Sequence, residues 1–124
     1  KAERAQIIEE NFYDLEKAFK VTTGYDFDGY QIVDYKGIVS GDIVLGTGFI
    51  SEFAASWSDA FGTTSNTFAG KMKTAKQKAL KQLMANAMIT GANAVIGIDF
   101  DYTMFGNNML GVSANGTAVV IRKK

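Results

Sequence analysis

The spacing of apolar side chains changes along the chain and predicts three helical stretches. Residues 2–20 and 67–90 carry apolar residues three or four positions apart, as an amphipathic helix does. Gly91 follows the longer stretch, where a glycine commonly ends a helix. Residues 49–61 repeat the spacing with aromatic side chains. The predicted buried stripes are Ala5, Ile8, Phe12, Leu15 and Phe19 in the first helix, and Met72, Ala75, Ala79, Leu83 and Ala87 in the long helix.

The remaining stretches are rich in Val, Ile and Tyr and predict strands. A short strand over 21–23 precedes a long one over 30–45, which we expect to bend or bulge around Gly37 and Gly41. The third strand is predicted over 94–102 and the fourth over 109–122. Residues 105–108 have the composition of a hairpin turn between these two strands, and Asn115-Gly116 predicts a bulge or kink in the fourth.

This order, helix-β-β-α-β-β, predicts an α+β fold. We expect two layers, with the long helix packed on one face of a mostly antiparallel sheet. The first helix precedes the first strand, so we divide the chain into an N-terminal helical appendage over 1–20 and an α+β domain over 21–124.

Composition narrows the function classes. The 124 residues suit one domain, and thirteen basic residues balance thirteen acidic ones. A zero net charge argues against a nucleic-acid or anionic-membrane binder and mildly favours self-association. No apolar run approaches the length of a membrane span, and we expect a cytoplasmic protein.

The chain contains neither Cys nor His. Their absence excludes Ser-His-Asp and Cys-His mechanisms, thiolate sites and imidazole metal ligands within these residues. We therefore predict no catalytic residue, no metal ligand and no enzyme activity, and the sequence identifies no cofactor. An enzyme would have to use Lys76, Asp99, Asp101 and tyrosines such as Tyr35 or Tyr102, which form no nucleophile–base pattern.

Three charged side chains and one tyrosine remain as candidate ligand-binding residues. Asp99 and Asp101 flank Phe100, so alternation along the strand places both carboxylates on one sheet face. They could hold a hard cation or transfer protons, or they could solvate the strand end or form ion pairs. Tyr35 completes the set.

Lys76 falls between Leu83 and Ala87 on the helical wheel, inside the apolar arc of the long helix. An ammonium on a buried face must find a carboxylate or extend to an edge. It could bind an anion or act as an amine catalyst. Alternatively, it could form a structural ion pair with Asp34, Asp99 or Asp101, in the same subunit or the next.

Three segments together resemble the YbjQ-type family, often labelled "putative heavy-metal-binding domain". They are the stretches Tyr35–Asp42, Gly91–Tyr102 and Val112–Val120. The resemblance covers residues 21–121 and implies a small dodecin-subunit-like α+β subunit that assembles as a ring, with a pentamer described for the family. It implies no known reaction.

From the resemblance and the residues together we expect a non-enzymatic homo-oligomer, with a pentamer favoured. Its subunit interfaces would bind a metal, another ion or a small ligand. The alternative is a structural or partner-docking domain of a longer protein, with the first helix as the docking element.

Overall fold

A four-stranded mixed sheet forms the centre of the computed structural model, which describes residues 2–45, 68–105 and 109–124. The strand order across the sheet is β1-β3-β4-β2. β3 runs antiparallel to β4, β4 antiparallel to β2, and β1 pairs in parallel with the start of β3. The strands are β1 (Lys20–Val21), β2 (Tyr30–Leu45), β3 (Ala94–Phe105) and β4 (Met109–Lys123). The predicted α+β class and element order are confirmed.

The long helix, α2 (Phe68–Ile89), packs on one face of the sheet. Four of its predicted stripe residues, Ala75, Ala79, Leu83 and Ala87, are fully buried against Leu45, Val112 and other core residues of the sheet. The helix comes closest to the sheet at Gly41 of β2, where a Cβ atom would collide with the backbone of Ala79 and Leu83. The sequence predicted a bend or bulge at Gly41. The strand register is regular there, and the glycine instead lets the helix approach.

The C-terminus of α2 is closed by a Schellman motif, as Gly91 predicted. Gly91 has a φ of 91° and donates its backbone N–H to Met88 O, while the Ala92 N–H reaches Ala87 O. Arg4 of the first helix, α1 (Ala2–Ala18), adds a side-chain hydrogen bond to Ile89 O at 2.9 Å. A guanidinium at this end also complements the helix dipole.

The strand irregularities differ in part from their predicted positions. β2 has register shifts between Ile32 and Asp34 and between Tyr35 and Gly37, so the expected bulge near Gly37 is confirmed. The irregularity between the last two strands lies in β3, between Ile96 and Asp99, and not at Asn115-Gly116 of β4. Gly116 is required for another reason, because a Cβ there would collide with Val95.

The helical appendage packs on α2. Ile8 is buried and Phe12 packs against the same core, while Leu15, the fourth predicted stripe residue, is more than one-third exposed. α1 is kinked at Asn11, whose side-chain amide donates to Ile7 O. The helical segment predicted over 49–61, with its Phe and Trp residues, lies outside the described residues, as does the 106–108 part of the predicted turn.

Candidate functional site

Lys76 lies at the rim of an open groove between the first half of α2 and β3. Its side chain is exposed, and its Nζ lies 5.5 Å from the centroid of the Phe100 ring. Among the described residues no carboxylate pairs with it. The prediction of a buried-face position is therefore wrong for the single chain. Leu83 and Ala87 lie on the same side of α2 as Lys76. They are closer to the C-terminus of the helix, where that side is buried in the core.

The groove beside Lys76 has an apolar floor and a basic rim. Its volume is about 430 Å³. Its lining residues are Met72, Lys73, Lys76, Gln77, Leu80 and Phe100. The sequence did not predict the groove. A helical wheel shows on which side of α2 Met72 and Leu80 lie, but it does not show where along the helix the sheet stops covering that side.

Asp99 and Asp101 share one face of the sheet, as alternation predicted, and this is the face opposite α2. Both are exposed, whereas Phe100 between them packs towards the core on the helix side. The Asp101 carboxylate accepts a 3.5 Å hydrogen bond from the Asn115 side-chain amide on β4. The two carboxylates are therefore separated from Lys76 by the sheet itself, and they cannot pair with it within one chain.

A hydrogen-bonded carboxylate on the same open face was not singled out from the sequence. Asp42 of β2 faces Ser113 of β4 in the register. The Ser113 hydroxyl donates to the Asp42 carboxylate at 2.6 Å, and the Ser40 hydroxyl lies 3.3 Å from its other oxygen. The Ser-x-Asp spacing of Ser40 and Asp42 could have indicated this contact, because residues two positions apart in a strand have their side chains on one face.

Tyr35 is two-thirds exposed on β2 and lies far from the two aspartates. It faces Val119 of β4, whereas Asp99 faces Asn115 from the other side of that strand. Four residues of β4 therefore separate them, or about 13 Å along the strand. The single chain does not bring Tyr35, Lys76 and the aspartates together.

Asp34, the third carboxylate considered as a partner for Lys76, pairs instead with Lys36. The Lys36 Nζ lies 3.0 Å from the carboxylate. This hydrogen bond and charge lower the pKa of Asp34 below its ordinary value of 3.8.

The described residues contain neither a cluster of metal-ligating side chains nor a membrane-spanning helix. Within that part of the chain, no three or more His, Cys, Asp or Glu side chains group in a way that could hold a metal ion. None of the described helices is long and apolar enough to cross a membrane.

Comparison with known proteins identifies the family of this chain. The family model described as "Putative heavy-metal-binding" matches residues 19–122. A UPF0145 protein of Clostridium botulinum strain Eklund 17B is 46% identical over 101 residues, which cover 80% of this chain and 95% of that protein. A UPF0145 protein of Acetivibrio thermocellus is 43% identical over 103 residues, covering 82% and 97%.

A solved structure is also similar. It is a crystal structure of a protein of unknown function from Pediococcus pentosaceus, 21% identical, covering 84% of this chain and 98% of that chain with a TM-score of 0.43.

The family match covers most of the chain from the end of α1 onwards, and the curated relatives match at more than 40% identity. The chain therefore belongs to the YbjQ (UPF0145) family.

Proposed function

We propose that this chain is a non-enzymatic binding domain that assembles into a closed homo-oligomeric ring and binds its ligand between subunits. The family resemblance favours five copies. The observation that carries the proposal is that, among the described strands, the sheet has two unpaired edges on opposite sides, and that exposed apolar side chains accompany both.

The first open edge is β2, which pairs only with β4 among the described strands. Ile38 is 86% exposed and Tyr35 65% exposed along this strand, with Val33 and Val44 also exposed. The second edge is β3 beyond Ile98, where backbone bonding to the β1 segment ends. Tyr102 and Met104 are exposed there. Open edges with large apolar side chains invite association with another chain.

Contact between two different edges generates a ring or a filament rather than a simple dimer. β2 and β3 both run antiparallel to β4 and therefore parallel to each other. A copy related by rotation about an axis along the strands would bring its β3 beside β2 in the parallel direction. Repetition of this head-to-tail contact closes a ring.

A shared site is also supported by the positions of the candidate residues. Lys76 lies on the helix face of the sheet, whereas Asp99 and Asp101 lie on the open face. These groups can act on one ligand, or pair with one another, only if a second copy supplies part of the set. No nucleophile–base pair is formed among them, which supports binding rather than catalysis.

The donors of this chain do not fit a heavy-metal site. The whole sequence lacks Cys and His, the ligands that soft and borderline metals prefer. Asp42 is already hydrogen-bonded to Ser113, and Asp101 to Asn115. We therefore assign the ligand to another chemical class than the family description names.

Native mass spectrometry with sedimentation equilibrium tests the assembly. We expect a single closed oligomer, and we expect Ile38→Lys to reduce it to monomers because the new charge would be buried between copies. Ile7→Lys is the matched control, because Ile7 is also exposed but lies on α1. A wild-type monomer at about 10 µM, far above the dissociation constant of an obligate assembly, would overturn the proposal.

The alternative function, a structural or partner-docking domain, is favoured by one feature of α1. Ile7 and Leu15 share one side of the helix and remain exposed after it packs on α2. If α1 docks a partner, deleting residues 2–18 removes that partner and leaves the oligomer intact. If assembly is the main function, the same deletion leaves ligand binding unchanged.

A further inference from the structure

We propose that the groove between α2 and β3 binds an amphipathic organic anion, with an apolar or aromatic body on Phe100 and a carboxylate at Lys76 and Lys73. This inference deepens the proposed function, on which it rests for the position of the groove at a subunit boundary. It names a class of ligand other than the heavy metal of the family description.

The groove exists because α2 lies off-centre on the sheet. Its contacts are mainly with β2 and β4 and few are with β3. Gly41 fixes this position, because only a glycine lets the helix backbone come so close to β2. The side of the helix that overhangs β3 is left open over Phe100, and the resulting space of about 430 Å³ is within the range of small-molecule sites.

The polar groups of the groove select the charge of the ligand. Lys73, Lys76 and Gln77 form its polar lining, and none of the described residues that line it is acidic. All of α2 contains five lysines and no acidic residue. Among the described residues, neither Lys73 nor Lys76 has a carboxylate partner.

Among the described residues, the carboxylates considered as partners for these two ammonium groups lie elsewhere. Asp99 and Asp101 lie behind the sheet, and Asp34 pairs with Lys36. A free ammonium pair beside an apolar floor is complementary to a molecule with one anionic end and an apolar body. A cation or a purely polar anion would satisfy only one half of this surface.

Phe100 determines which shape the apolar end of the ligand can have. Lys76 Nζ already lies over its ring, within the distance of a cation–π contact. Met72 and Leu80 line the same groove, and a thioether adapts readily to a flat ring. An aromatic carboxylate can therefore lie against Phe100 while its charge replaces the ring as the partner of Lys76.

The test uses two probes of nearly equal shape, 2-naphthoate and the neutral 2-naphthamide. Calorimetric titration of the intact chain should show 2-naphthoate binding about tenfold more tightly, the effect of one charge-assisted hydrogen bond. Lys73→Met combined with Lys76→Met should abolish the preference, because the double change keeps both apolar stems and removes both charges. Lys71→Met, on the same helix but outside the groove, should keep it.

Methionine methyl NMR locates the binding. The 2-naphthoate ring should shift the Met72 signal and leave that of Met88, near the far end of α2, unchanged. Equal affinity for the two probes, a preference that survives the double change of Lys73 and Lys76, or no binding at about 10 mM would each overturn the inference. Mass measurement on the same samples separates the two proposals: a monomer that prefers 2-naphthoate overturns the ring alone, and a ring without the preference overturns the groove alone.

Discussion

Gly41 of β2 lies against the backbone of α2 at Ala79, so closely that no side chain fits between them. We expect Gly41→Ala to lower the free energy of unfolding by about 3 kcal/mol, since helix and strand must separate to admit the methyl group. Urea unfolding measures the change. Gly24→Ala is the control, because a Cβ there meets only ordinary contacts and should change stability by less than about 1 kcal/mol. Equal costs would mean that α2 shifts without strain.

The hydrogen bond from Arg4 to Ile89 O ties α1 to the end of α2. We expect Arg4→Met to speed hydrogen exchange in α1 by roughly tenfold, the effect of losing one charge-assisted hydrogen bond. Exchange in β4 should not change, because that strand has its own partners on both sides. Unchanged exchange in α1 would show that Ile8 and Phe12 alone hold the appendage.

The ion pair between Asp34 and Lys36 predicts a pH effect of known sign. Lys36 lowers the pKa of Asp34, so the pair stabilises the folded state above pH 3.8 and this contribution is lost as the pH falls through the lowered pKa. Carboxyl NMR should give Asp34 a midpoint below 3.8, and Lys36→Met should return it to the ordinary range. The effect on stability should be small, because both groups are exposed to solvent.

Zinc should bind weakly to this chain. The thiolate and imidazole ligands that zinc prefers are both missing from a sequence without Cys or His. Isothermal titration should give no Zn²⁺ site with a dissociation constant below about 1 µM. A submicromolar site in this chain would contradict the ligand class that we propose.

The stability cost of Lys76→Met separates the sequence expectation from the structure. A buried, paired lysine would cost about 1–3 kcal/mol on replacement. Because Lys76 is exposed, we now expect a change within about 0.5 kcal/mol in the single chain. Urea midpoints of Lys76→Met and of Lys73→Met, at another exposed lysine of α2, should therefore be similar. A large loss for Lys76→Met alone would indicate a carboxylate partner in the assembled protein.

Local patterns predicted the elements well because burial repeats with the period of each element. The content of Val, Ile and Tyr identified β2 with its observed ends, and the 3.6-residue repeat identified the buried face of α2. The site was predicted less well. A helical wheel shows on which side of the helix a residue lies but not its position along the axis. It therefore predicted that Lys76 is buried like Leu83, although this side of α2 is buried at Leu83 and not at Lys76.

Glycines were ambiguous for a related reason. A strand glycine can mark a bulge, as at Gly37, or a close contact, as at Gly41 and Gly116. The sequence does not distinguish these, because the colliding atoms belong to residues far along the chain. The pairing of Asp42 with Ser113 likewise depends on a strand register that only the folded sheet defines.

Side chains of α2 also occupy part of the outer edge of β2. The Gln82 amide accepts the Asp42 N–H, and the Asn86 amide donates to Ser40 O. The Asp42 N–H and the Ser40 O are therefore already bonded within the chain. A strand that paired with β2 in the proposed assembly would have to displace both amides to bond there, so they disfavour registers that extend past Ser40.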